Sequence, residues 1–441
     1  MIRFLLSSLG FIICLSCCAG NNKKLPINSV SVEQQSSMEI TPEELGIYPN
    51  TRYLVSDIVD LQGKKIKMPK SVTLVFKGGS IRNGCIIGND SKIECSNYPV
   101  FNNVRIAGIW LVPKISTSMF ADLDYVNSLR DVFALSNPLV NNTIRINKGE
   151  YKVCVKKNKE VCLPVYSNTT IIIDGTIMLQ PNAFPRYDIM CVNGENITIS
   201  GSGTIVGDKH THKGKDGQWG MGIRFHGAKN TTVMGLSIRE CWGDCIYVGG
   251  NSKNVKILQC NLDHGRRQGI SVTKADNVLI RECKISNVGG QKPEYAIDLE
   301  PNQGDTVDNV MIENVEIVDC KGGILSTKGN KDGRGKGSYI GSIFVKKCKI
   351  SIVDKYPIRL RRCEKADVEG CVTYSTNENP SIFMSEINEV VVFDNEINVD
   401  KRIMASIKNI TKDVVGKSKY KPISVSRCKK KMIDNNIITE K

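Results

Sequence analysis

Seven short apolar segments in the C-terminal two-thirds of the chain are versions of one strand. Gly222-Ile223-Arg224-Phe225, Cys245-Ile246-Tyr247-Val248, Gly269-Ile270-Ser271-Val272 and Ala296-Ile297-Asp298-Leu299 are the plainest. The pattern returns at Gly323-Ile324, Pro357-Ile358-Arg359-Leu360 and Ser381-Ile382-Phe383-Met384, and the isoleucines are 23, 24, 27, 27, 34 and 24 residues apart. A second strand follows each, as in Asn254-Val255-Lys256-Ile257, Asn277-Val278-Leu279-Ile280 and Asn309-Val310-Met311-Ile312. Six residues on from each Asn stand Cys260, Cys283 and Val315, and six on from Ser342 stands Cys348; Cys371 shares that place. A coil of this size holds two or three short strands and cannot bury its apolar side chains alone. Stacking coils at the ~4.8 Å strand spacing buries them, and like residues then form ladders. The expected fold is therefore all-β, a right-handed parallel β-helix (solenoid) with at least seven coils over residues 165–400. The main rival, a leucine-rich repeat, requires an LxxLxLxxN pattern that is missing.

Outside the clear repeats the organisation is looser. Val72–Phe76, Ser80-Ile81, Cys85–Ile87 and Lys92-Ile93 read as tighter coils, which predicts a small N-terminal β module over 46–118 ahead of a β-helix domain over 119–441. Residues 120–135 predict one short amphipathic helix with Leu123, Val126, Leu129 and Val132 on a face. Residues 327–341 lengthen one coil and read as an edge loop. At the start, Arg3 and an apolar run over 4–15 have the length of an export signal rather than a membrane span. Leu15-Ser16-Cys17-Cys18 resembles a bacterial lipoprotein box, which implies lipidation at Cys18, with Cys17 as the neighbour; an ordinary cleaved signal peptide is the plainer alternative. Residues 1–18 are thus expected to be a lipoprotein signal and 19–45 a polar tether. The implied address is the outer membrane or cell surface, or the periplasm.

Seventeen cysteines in an exported chain suggest disulfides. Cys260, Cys283, Cys348 and Cys371, however, share one place in the repeat and are expected to be a buried stack of free thiols. Beyond the export signal no CxxC spacing occurs, and the CxxxC of Cys241 and Cys245 is a weak zinc signal. The net charge of +15 fits an acidic polysaccharide, or simply a solvated basic surface. The export signal and the absence of a basic block with interleaved aromatics argue against nucleic acid.

Within each repeated strand the Ile points inward and so does the residue two on; the residues between point out. The outward column then reads Arg224 and His226, Tyr247, Ser271 and Thr273, Asp298 and Glu300, and Arg359 and Arg361. The preceding turns add Asp244, Gln268, Tyr295, Asp263, His264, Arg266 and Arg267. Asp298 and Glu300 share a strand face, with Cβ atoms about 7 Å apart. That separation suits a water-mediated glycoside hydrolysis, in which one carboxyl stays protonated because a neighbouring carboxylate raises its pKa. Asp244, Asp298 and Glu300 are the candidate catalytic residues. His226, Tyr247, His264, Arg266, Arg267, Arg359 and Arg361 are the candidate substrate-binding residues. The plain alternative makes Asp298 and Glu300 structural partners of Arg266 and Arg267. A polysaccharide lyase is a second reading, with His226, His264, Tyr247 or Arg266 removing the C5 proton of a uronate; a non-catalytic surface glycan binder is a third. The partner expected is a polysaccharide or oligosaccharide substrate, and the protein itself is expected to be a monomer. No cofactor and no metal are expected. Asp298 and Glu300 offer oxygen ligands for calcium, but too few. Asp208, His210 and His212 form a potential metal trio, set against a solvated loop.

Gly201-Ser202-Gly203-Thr204-Ile205-Val206-Gly207, then Gly243-Asp244-Cys245-Ile246 and Gly269-Ile270-Ser271-Val272, resemble the polygalacturonase-like branch of the pectin-lyase-like superfamily over residues 165–400. The resemblance implies the β-helix fold and action on a glycan. Of that branch's motif Asp244 carries over. Gly243 replaces its neighbouring Asp, Arg224 and His226 stand where another Asp is implied, Gln268 replaces a His, and Arg359-Leu360-Arg361 is only similar to a later Arg-Ile-Lys. Trp219-Gly220, Trp242-Gly243-Asp244-Cys245-Ile246-Tyr247, Arg266-Arg267-Gln268-Gly269-Ile270-Ser271 and Ala296-Ile297-Asp298-Leu299-Glu300-Pro301-Asn302 look closer to a group of bacterial and phage β-helix proteins. Leu74-Val75-Phe76-Lys77-Gly78-Gly79, with Asn83-Gly84 and Gly88-Asn89, looks like a module of gut Bacteroidetes surface proteins, which implies glycan utilisation.

Overall fold

A computed structural model describes residues 37–39, 45–96, 98–124, 126–328, 337–403 and 421–440. The signal and tether residues that the sequence assigns lie outside or at the margin of these. Three long parallel sheets run through most of the chain, with ten, thirteen and eleven strands. A typical coil contributes Ile246–Gly249 to the first sheet, Ser252–Leu258 to the second and Asn261–Asp263 to the third. The next coil starts at Gln268–Val272. This is the right-handed parallel β-helix expected from the repeat, since a parallel crossover is right-handed in nearly all cases.

The isoleucine ladder is continuous. Ile223 pairs with Ile246, Ile246 with Ile270, Ile270 with Ile297, Ile297 with Ile324, Ile324 with Ile358, and Ile358 with Ile382. Each of these side chains is fully buried. The second sheet carries Ile257, Ile280, Ile312, Val345, Val368 and Val392 in one register. β-Branched side chains dominate because stacked identical strands reward a stiff shape that nests on itself.

Corners are set by residues in the left-handed region. Asn230, Asn254, Asn277 and Asn309 have φ of 49°, 54°, 58° and 49°, a conformation that Asn tolerates better than other non-glycine residues. Their side-chain amides then chain from coil to coil. Asn254 donates to Asn230 (2.8 Å), Asn277 to Asn254 (2.7 Å) and Asn309 to Asn277 (3.3 Å). The next corner works differently. Gln259, Glu282 and Lys347 turn the chain with positive φ, and Cys260, Cys283 and Cys348 follow, buried, each Sγ directed at a carbonyl two residues back. The fourteen cysteines among the described residues are all free thiols, so the repeat spacing and not the cysteine count was the correct guide.

Before the coils, strands between Ser37 and Trp110 form a separate seven-stranded set, and Lys114–Ser116 opens the second long sheet. The helix is shorter than its periodicity predicts. It spans only Ser128–Phe133, after a 3₁₀ turn at Thr117–Met119. The segment between is drawn into neighbouring strands: the Ala121 amide donates to Phe101 and the Asn127 amide to Lys152. Asn127 then takes φ of 70°, which ends any helix running through it. Leu123, Leu129 and Val132 are buried as expected, whereas Val126 is exposed. No helix among the described residues is long and apolar enough to cross a membrane.

Candidate active site

On the first sheet the outward position beside the isoleucine ladder is itself a ladder. Pairing runs Cys191, Arg224, Tyr247, Ser271, Asp298, Leu325, Arg359, Phe383. Outward does not mean exposed here. Asp244 and Asp298 are buried to 0% and 1% residual exposure, because the turns before each strand fold over them.

Asp244 accepts from the Ser271 hydroxyl (2.7 Å) and from Arg267 Nη1 (3.2 and 3.4 Å). Burial pushes its carboxyl above the ordinary range, and Arg267 and Ser271 pull back. Asp298 accepts from Gln268 Nε2 on one oxygen. Its Oδ1 has no hydrogen-bond partner among the described residues. Burial first, then the Glu300 carboxylate, hold the Asp298 carboxyl well above its usual range, with Arg267 opposing. A buried carboxyl that keeps its proton near neutrality is a candidate general acid. Burial also works against the Arg267 charge, but Asp244, Asp298 and Glu300 more than restore it. Arg267 is thus the ion-pair partner of Asp244, within electrostatic reach of Asp298 and Glu300. Glu300, half-buried two residues beyond Asp298, is the most accessible of the three.

A second polar group lies on the same face. The Arg224 guanidinium sits 5.2 Å from the Tyr247 ring centre and 3.5 Å from Asp188. The Tyr247 hydroxyl accepts from Thr273 (2.7 Å). His226 is pushed below 6.5 by burial and then by Arg224 and Arg186. Asp188 is pushed up to about 6 by burial, against Arg224 and Arg186. The sequence reading missed Asp188. Its signal was present: Asp188 stands two places before Met190, as Asp244 does before Ile246 and Gln268 before Ile270, and Met190 occupies the ladder place of Ile223.

Other expected site residues lie elsewhere. Arg266 is not among the carboxylates. It lies 3.6 Å from the Trp242 ring centre and donates to the Gly217 and Trp242 carbonyls and to Gln291. His264 accompanies Asp263 (2.6 Å) at the end of a third-sheet strand, beside His210. Arg361 is tied to Ser385 and to Glu386 (2.8 Å). Arg359 stays on the face, beside the Tyr356 and Phe383 rings. The Asp208, His210 and His212 trio divides. Asp208 and His212 form a buried pair (2.8 Å) with the Tyr187 hydroxyl, and His212 stacks on Trp242. This is neither a metal trio nor a solvated loop. Among the described residues no group of three His, Cys, Asp or Glu side chains is placed to hold a metal ion.

Of twelve buried polar side-chain atoms without a partner among the described residues, six belong to Asp188, Arg224, Arg267, Gln268, Asp298 and Arg359. Buried polar groups are nearly always paired, so such atoms mark a place where a ligand or water is accommodated. Half of them on one face singles out that face.

Residues 139–333 match the family model described as "Right handed beta helix region". Two proteins of Bacillus subtilis (strain 168) are similar in sequence. The SPbeta prophage-derived uncharacterized protein YorA is 30% identical over 162 residues, which is 31% of this chain and 28% of that protein. The uncharacterized protein YclG is 31% identical over 206 residues, 41% of this chain and 34% of that one. The chain therefore matches about a third of the length of these curated relatives. Among solved structures, the polygalacturonase from Erwinia carotovora ssp. carotovora is 13% identical, with a TM-score of 0.45, covering 75% of this chain and 94% of that one. The family match and the coordinates agree on the right-handed β-helix.

Proposed function

We propose that the protein degrades a polysaccharide, as a glycoside hydrolase whose reaction takes place where Asp298, Glu300 and Asp244 meet Arg267. The observation that supports this reading is the asymmetry between the carboxyls. Asp298 is buried and lies beside another carboxylate, both of which favour its protonated form, while Glu300, one residue past the end of that strand, is more open. Asp298 then protonates the glycosidic oxygen as it leaves, and Glu300 takes a proton from the attacking water. The strand ends at Leu299, one residue short of what the sequence predicts, but the Glu300 amide still bonds the Val272 carbonyl of the coil before; two carboxyls two residues apart on extended backbone stand about 7 Å apart at Cβ, which leaves room for that water. Asp244, locked by Ser271 and Arg267, adds negative potential toward the positive charge that develops on the sugar ring.

The test is a digest of a panel of plant and host polysaccharides by the protein and by Asp298→Asn. The variant should lose at least ~100-fold in turnover, the usual scale for a general acid, with an unchanged circular dichroism spectrum. Normal turnover by the variant would remove Asp298 from the mechanism. Product absorbing near 235 nm would replace hydrolysis by β-elimination, for which Tyr247 beside Arg224 is the base that the face offers. Binding without product would make the protein a glycan receptor. The lipoprotein box extends the reading to an envelope-anchored protein.

A further inference from the structure

The outward ladder carries a second pattern, on either side of Asp298. Three rungs before it, roughly 14 Å away, is Arg224 with Asp188. Two rungs after it, roughly 10 Å away, is Arg359. The two places present different atoms. At the first, Asp188 Oδ1 and Arg224 Nε are both buried without a partner among the described residues, one an acceptor and one a donor. A hydroxyl group satisfies both at once, donating to the carboxylate and accepting from the guanidinium. A carboxylate ligand would instead face Asp188, a like charge. At the second place, Arg359 Nε is buried and unpartnered. Its guanidinium lies 5.0 and 5.8 Å from the Tyr356 and Phe383 ring centres, to one side of that ring pair, and among the described residues it has no ion-pair partner. A guanidinium free of an internal anion matches a ligand carboxylate in a bidentate pair.

We propose that this face binds a neutral sugar residue at Asp188–Arg224 and an acidic one at Arg359, so that its substrate is a mixed polymer of neutral sugars and uronates rather than a homopolyuronate. The inference rests on the polysaccharide reading above and narrows its substrate class. Asp188 is the selecting residue. Arg186 is also within electrostatic reach of it, so removing the Asp188 charge leaves two guanidinium groups uncompensated and makes the neutral position attractive to a uronate. His226, uncharged at neutral pH, adds nothing to that balance.

The experiment measures binding to three immobilised polymers of matched length, using the full chain in an Asp298→Asn background so that nothing is cut. The probes are a homopolymer of uronate, a polymer alternating uronate with a neutral hexose, and a neutral hexose polymer. The alternating polymer should bind at least ~10-fold more tightly than either other, the scale of one hydrogen bond to a charged group. Adding Asp188→Asn should raise affinity for the homopolyuronate at least ~10-fold, a gain that general damage to the fold does not produce. Adding Arg359→Gln should weaken both uronate-containing polymers and leave the neutral one unchanged. Tightest binding of the homopolyuronate, or an Asp188→Asn variant with unaltered selectivity, overturns the proposal and leaves the hydrolase reading standing. No binding to any of the three, together with no product from the wider panel, removes the parent reading and this one with it.

Discussion

Asp188→Asn isolates the cost of one buried carboxylate. Burial pushes this group from 3.8 up to about 6, with Arg224 and Arg186 unable to compensate. The folded protein therefore holds the proton more tightly than the unfolded chain does. The stability that this preference contributes is fully present below pH 4 and is lost as pH rises through 6. A rise from 3.8 to about 6 is worth roughly 3 kcal/mol between those limits. Asparagine has nearly the shape of the protonated acid and cannot ionise. Relative to the parent, the variant should gain roughly 3 kcal/mol between pH 4 and pH 8. Any constant effect of the substitution, such as a poorer contact with Arg224, shifts both ends equally and cancels. Asp244 and Asp298, also pushed up by burial, are present in both proteins and cancel too. The assay is urea unfolding of parent and variant at pH 4, 6 and 8, with the midpoints compared at a common slope. Parallel stability curves would refute the reasoning, because they would mean that Asp188 is as well solvated in the fold as out of it. A variant that loses stability with rising pH would show the Arg224 ion pair outweighing burial.

Ile297→Ala removes a fully buried rung from the middle of the isoleucine ladder and should cost about 2–5 kcal/mol. A loss below about 1 kcal/mol in chemical unfolding would mean that the coils close over the gap. Alkylation under denaturing, non-reducing conditions should modify Cys260, Cys283 and Cys348, and mass spectrometry showing any of them bridged would contradict the buried thiol stack. Replacing Cys17 and Cys18 together with Ala should move the protein from the membrane fraction to the soluble one; unchanged fractionation would count against a lipid anchor.

The ladders were legible in the sequence because a parallel β-helix repeats its register. A residue pointing inward in one coil has the same neighbour in the next, so Ile223 through Ile382 recur at the same place in each coil despite insertions. Insertions alter the turns and leave the strands alone. The helix was misjudged for a related reason. Leu123, Leu129 and Val132 do share a buried side, but the backbone amides of Ala121 and Asn127 bond Phe101 and Lys152, and spacing cannot reveal where amides find their acceptors. Arg266 and Arg267 show the same limit inside one turn. They are adjacent, yet one lies flat on Trp242 and the other joins Asp244, since turn residues have no fixed alternation.

Depth was the larger omission. Periodicity places Asp244 and Asp298 on the outer face, and from that alone they should be solvated, with ordinary pKa values and little bearing on stability. The turns decide otherwise. Arg267 precedes and Gln268 opens the strand that carries Ser271, one rung from Asp298, and their side chains bond the two carboxyls. The residues that cover the acids are thus the ones that bond them, so coverage and charge balance come from one turn. For that reason an Asn at 244 is not a neutral change in the fold. It weakens the principal partner of a largely buried guanidinium, and breaking such a pair typically costs about 3–5 kcal/mol. Asn at 298 breaks no ion pair among the described residues and replaces a carboxyl whose charged form burial and Glu300 already disfavour. The two variants should therefore separate: loss of activity in both, but loss of stability at 244 alone. If both unfold alike, the distinction between a catalytic acid and its structural neighbour does not hold on this face.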